Sequence, residues 1–94
     1  MNIDFQGGNV RWNNFEEINS DNECTLSQDM LWVQYEKFHL DVGWYEDTYI
    51  VYILECDDFG NGNWKDPLEK SFVQNENDLE YKINTTINYW KKLL

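Results

Sequence analysis

The sequence predicts an α+β domain: an antiparallel sheet with a C-terminal amphipathic helix and a short N-terminal helix packed on it. Three observations carry this. Leu79, Ile83, Ile87, Trp90 and Leu94 recur at spacings of four, four, three and four, which puts one apolar stripe on a helix. Residues 49–54, Tyr-Ile-Val-Tyr-Ile-Leu, are β-branched, aromatic or aliphatic throughout, as a strand requires. Strand-like segments follow one another between the two helices, whereas a parallel sheet would need a helix at each crossover.

Taken in chain order, Ile3 to Phe5 and Val10 to Trp12 flank Gly7-Gly8, a hairpin signal. Asn14 with Glu17 forms a capping box, and Phe15 and Ile18 lie three apart, which predicts the short first helix. Met30 to Tyr35 and Phe38 to Val42 read as strands, the second ending near Gly43. Tyr49 to Leu54 is apolar at both alternating sets of positions, so it should be the central strand, covered on both sides. Residues 57–67 hold turn chemistry, with Asn61-Gly62 suited to positive φ and Pro67 barred from a ladder interior. Glu69 to Val73 returns as a further strand. The last helix should span 77–93, capped by Asn77 with Glu80, with Asp78 and Glu80 at its start and Lys91 and Lys92 at its end suiting the helix dipole.

The chain of 94 residues has room for one core, so residues 1–94 read as a single acidic domain. With 41% of residues hydrophobic and 17% aromatic, the core needs neither a metal nor a disulfide. Against 18 Asp and Glu stand 7 Lys and Arg, a formal net charge of −11. Direct binding of nucleic acid or of an anionic membrane is disfavoured, because both need Lys and Arg that this chain lacks. Two readings of the acidity stay open: solubility alone, or attraction to a basic partner. Met1 to Val10 lacks the charged and apolar regions of a signal peptide, and no apolar run spans a bilayer, so a cytoplasmic protein is expected. Cys24 and Cys56, 32 positions apart, match neither a CxxC redox pair nor a zinc half-site.

The inventory for catalysis is thin. His39 is the only histidine, which excludes a two-histidine metal site and leaves any Ser-His or Cys-His pair to this one ring. Gly60-Asn61-Gly62 lacks the lysine and helix of a phosphate loop, and Asp57, Asp58, Asn61 and Asn63 miss the EF-hand spacing. No cofactor, no metal and no enzymatic activity are expected.

What remains is recognition. In residues 41–47 and 57–66, large rings sit among carboxylates in or beside turns. Trp and Tyr supply contact area at low entropic cost, and carboxylates meet and steer Lys and Arg of a basic surface. The expected partner-binding set is Asp41, Trp44, Tyr45, Glu46, Asp47, Asp57, Asp58, Trp64 and Asp66. Trp44 and Trp64 also suit core positions at strand ends, and Trp90 belongs to the helical stripe.

Leu40-Asp41-Val42-Gly43-Trp44-Tyr45, the strand 49–54 and Trp64-Lys65-Asp66-Pro67 together resemble small bacterial immunity proteins of contact-dependent inhibition and related polymorphic toxin systems. The resemblance spans about residues 40–68, under a third of the chain. It implies a cytosolic protein that binds a cognate toxin domain, often a nuclease with a basic substrate surface, and neutralises it by stoichiometric binding. The alternative is a phage-type acidic inhibitor of a nucleic-acid enzyme, an anti-restriction or anti-CRISPR protein that mimics nucleic acid.

Overall fold

The structure, a computed structural model, describes residues 2–13, 30–57, 59 and 61–93. The short helix expected around Asn14 to Ile18, Cys24, Asp58 and the last stripe residue, Leu94, lie outside the described residues. Five strands, β1 (Asn9–Asn13), β2 (Leu31–Gln34), β3 (Phe38–Tyr45), β4 (Thr48–Glu55) and β5 (Glu69–Val73), are followed by α1 (Glu76–Leu93). Each strand pairs antiparallel with the next, so the sheet is a simple meander in the order β1-β2-β3-β4-β5. The α+β class follows.

Short hairpins set the register. β2 and β3 join through Glu36 and Lys37, closed by the Tyr35 amide donating to the Phe38 carbonyl at 2.9 Å. β3 continues through the buried Gly43 to Tyr45 and does not end near the glycine, because Gly43 to Tyr45 find partners in Ile50, Tyr49 and Thr48. Glu46 and Asp47 then turn the chain with φ of 46° and 70°, the signature of a type I′ hairpin, whose twist matches that of the strands. The first glycine pair acts differently from expectation. Gln6 and Gly7 take positive φ within a turn closed by Gly8 N–H to Phe5 C=O, and Ile3 to Phe5 do not form a strand.

That opening segment docks on α1 instead. Glu80 accepts from the Asn2 amide, while Asn84 accepts from the Asp4 amide and donates to the Asn2 carbonyl, each at 2.9 Å. The Tyr35 hydroxyl donates to the Phe5 carbonyl at 2.7 Å, and burial, helped by Asp4, pushes its pKa up to about 12. Gly8 packs where a Cβ would meet the Tyr35 ring at 2.5 Å, so no larger residue fits there.

The cap of α1 is Asn75, two residues before the expected Asn77. Its Oδ1 accepts from the Asp78 amide and its Nδ2 donates to the Asp78 carboxylate, both at 2.9 Å, a reciprocal pairing two residues earlier in the acidic run. Leu79, Ile83 and Ile87 are fully buried against Leu31, Val33, Leu40, Val42, Val51 and Ile53 of the sheet. Each such side chain contributes about 1.5–3 kcal/mol of hydrophobic stabilisation, so this one layer contact holds the domain together. Glu69 clamps the seam by accepting from Trp90 Nε1 at 3.0 Å and Ser71 Oγ at 2.8 Å and pairing with Lys82 at 3.0 Å. Burial alone would raise its pKa, but those three hydrogen bonds and the Lys82 charge hold it below the ordinary value. Among the described residues, no helix is long and apolar enough to cross a membrane.

Candidate protein-binding face

A strand shows alternate side chains to opposite faces, so the register that seats the apolar set under α1 gathers a second set on the other side. Trp12 faces Trp32, Trp32 faces Asp41, Asp41 faces Tyr52 and Tyr52 faces Lys70, one unbroken row across all five strands. A register shift between Val10 and Trp12 in β1 brings the Trp12 position opposite Trp32. Beside this row run His39 with Leu54 on one side and Gly43, Ile50 and Phe72 on the other. Asn61, Gly62 and Trp64 of the loop 56–68 lie against this face beside Trp32, His39, Asp41 and Leu54.

The rings hold one another and the nearest cations. Tyr52 meets Trp64 edge-on with centroids 5.1 Å apart and Tyr45 at 6.3 Å. The Arg11 guanidinium stands 5.5 Å from the Trp32 centroid, and Lys70 Nζ lies 5.6 Å from Tyr52 and 5.4 Å from Phe72. Such cation–ring contacts contribute about 0.5–1 kcal/mol each at exposed sites, and here they use two of the chain's seven cations. Trp12 on β1, Trp64 in the loop and Phe72 on β5 remain 50%, 52% and 62% exposed, at separate margins of the row.

At the centre the chemistry is polar and buried. Trp32 Nε1 donates to His39 Nδ1 at 3.3 Å, which leaves the proton of a neutral imidazole on Nε2. That Nε2 is buried with no hydrogen-bond partner among the described residues. Burial, then Arg11, lowers the His39 pKa, with Asp57 opposing, so the ring is neutral near pH 7. Asp41, buried and engaged within the chain, lies two residues on along the same face.

The loop 56–68 forms one wall. Asp57 Oδ1 accepts from the amides of Phe59 and Asn61, each at 2.9 Å, and Cys56 bridges Gly62, so the loop folds back as a small hairpin. Gly62 does not take a positive φ; a Cβ there would stand 3.0 Å from Leu54 Cδ1, so that side chain would have to give way to admit one. Between loop and sheet lies a depression of about 250 Å³, bordered by Trp32, His39, Asp41, Leu54, Gly62 and Trp64.

Of the expected binding residues, Asp41, Tyr45 and Trp64 come together on this face. Trp44 points to the other side, where it packs against the core and meets Tyr49 edge-on at 4.7 Å. Glu46 and Asp47 sit exposed at the β3–β4 hairpin tip, while Asp57 and Asp66 sit exposed in the loop beyond the far end of β4. An eight-residue strand separates the two acidic ends by roughly 25 Å. Asp58 lies outside the described residues. Trp12, Trp32, Tyr52, Phe72, Arg11 and Lys70 were not singled out by sequence. Alternation within residues 31–34 and 49–54 carries the signal for Trp32 and Tyr52, once Leu31, Val33, Val51 and Ile53 are assigned to the helix side. Among the described residues, no three of His, Cys, Asp and Glu gather as a metal site. Compared with protein-family models, curated proteins and solved structures, the chain finds no match to any.

Proposed function

We propose that the chain is a non-catalytic binding protein of the immunity type, which docks its ring-bearing sheet face onto a basic toxin domain, a nuclease, and neutralises it one to one in the cytosol. The row Trp12-Trp32-Asp41-Tyr52-Lys70, with half-exposed rings at its margins, is the observation that carries this reading. Rigid indoles and phenols supply most of the binding energy in protein interfaces, and the loss of one such anchor costs about 2 kcal/mol or more. The acidic ends and the charge of −11 would steer a basic partner onto the face. This placement favours docking over a string of phosphate mimics, because the acids stand apart at two ends with rings and cations between them.

The test is titration of the intact chain with candidate toxin nuclease domains at low and physiological ionic strength. Tight one-to-one binding, association slowed by salt, and about thirtyfold or greater weakening in Trp64→Ala are expected. Binding that ignores salt and survives alanine at both Trp64 and Phe72 would remove the proposal.

A further inference from the structure

We propose that the chain pairs with a second copy of itself along β5, joining two five-stranded sheets into one through an antiparallel contact about a two-fold axis at Ser71. This goes beyond the binding function above and uses another part of the molecule, the outer edge of the sheet.

β5 ends the sheet. Among the described residues its main-chain hydrogen bonds all run to β4, including the Thr48 hydroxyl donating to the Val73 carbonyl at 3.1 Å. The alternate N–H and C=O groups along its other side therefore stand ready to pair with an added strand. Exposed edges are often guarded by a charge that projects over them, lysine above all. Neither charge of β5 does so: Lys70 Nζ lies back over the rings of Tyr52 and Phe72, at 5.6 and 5.4 Å, and Glu69 is held by Lys82, Trp90 and Ser71. Leu68 and Tyr89, which line the groove between β5 and α1, and Phe72 on the open face are 38%, 56% and 62% exposed, so apolar surface flanks the ladder on both sides.

Charge decides between a second copy and a basic partner. Residues 65–94 hold five lysines against five carboxylates, so the net −11 falls entirely on residues 1–64. A cationic protein has little to seek at β5, whereas two copies meet there with the least mutual repulsion. The strand is also self-complementary. Turned about Ser71, Lys70 of each copy stands opposite Phe72 of the other, and Glu69 stands opposite Val73, so no like charges oppose one another and two small serines meet at the axis. Five paired residues extend only about 17 Å, which places the contact in the small, transient class of interfaces.

The experiment is analytical ultracentrifugation of the full chain under reducing conditions, from about 10 μM to about 1 mM, at low and high salt. A monomer–dimer equilibrium with Kd of about 100 μM is expected. Raising salt from about 50 mM to about 500 mM should tighten it about threefold by screening the two acidic bodies, the opposite of the effect expected on docking to a basic toxin. Phe72→Lys sets ammonium groups opposite each other twice over and should weaken the dimer about tenfold, although it lowers the net charge. Phe72→Glu faces Lys70 instead and should keep affinity within about threefold, although it raises the net charge. Both changes fall at an exposed position, so the fold is not at stake. A chain that stays monomeric throughout, a dimer that salt dissociates, or Phe72→Lys dimerising as well as the native chain would overturn the proposal. Loss of the dimer in Trp64→Ala would do so too, by moving the contact to the open face; each of these results leaves the docking function standing.

Discussion

The two faces of one sheet share every strand and differ in almost everything else. Toward α1, Leu31, Val33, Leu40, Val42, Val51 and Ile53 are sealed by Leu79, Ile83 and Ile87, none more than 1% exposed. Away from α1, the alternate positions hold Trp32, His39, Asp41, Tyr52 and Lys70, with exposed rings at the margins. The first face is apolar at its centre, with a polar seam only at its β5 edge, and is explained by folding alone. The second mixes rings, a buried carboxylate and a buried imidazole, a composition unlike that of a core and the one on which the proposed binding function rests. Thr86 Oγ1 on the helix and His39 Nε2 on the sheet are buried polar atoms without a hydrogen-bond partner among the described residues.

The sharpest way to break the contrast is to cut one side chain from each face and measure unfolding in denaturant. Ile83→Ala leaves a cavity in the sealed layer and should lower the unfolding free energy by about 2–5 kcal/mol. Trp12→Ala, at a half-exposed edge position, should lower it by about 1 kcal/mol or less. Similar losses at both sites would mean that the open face contributes to folding as the covered one does.

Thr86→Val tests whether the helix-side hydroxyl is a structural defect. Removing a buried, unpartnered hydroxyl while keeping the shape should raise stability by about 1 kcal/mol. A loss of stability would show that the hydroxyl has a role in the seam.

The smallest effect concerns His39 and appears only with pH. Its folded pKa is lowered, so between that value and the unfolded value of 6.5 the unfolded chain binds a proton that the folded chain refuses. Stability is therefore fully present above 6.5 and is lost as pH falls toward the folded pKa. Against His39→Gln, the native chain should lose stability as pH drops from about 7.5, and a constant difference between the two would refute a desolvated imidazole.

Local patterns made much of the fold legible. The limits of β5 matched the reading, α1 began one residue before it, and β2 and β4 were each found within a residue or two. The apolar spacing of Leu79, Ile83 and Ile87 and the β-rich run 49–54 suit only one element each. The hairpin at Glu46-Asp47 was harder to see, because two acidic residues carry positive φ where Asn-Gly is the usual sign. The candidate site was half legible. Rings close to acids drew attention to Asp41, Tyr45 and Trp64, but the same rule took in Trp44, one position from Tyr45 and therefore on the opposite face. Trp12 and Phe72 could not be found that way, since they join the site across four strand pairings.

The sequence alone determined that a helix with one apolar stripe must lie on a sheet, because a period near 3.6 and a period of 2 each leave a face that water cannot hold. It also determined the acidity that governs approach at long range. Only the tertiary structure decided which rings share a surface, because a cross-strand row depends on register, and a shift of one residue would have moved Asp41 and Tyr52 beneath the helix.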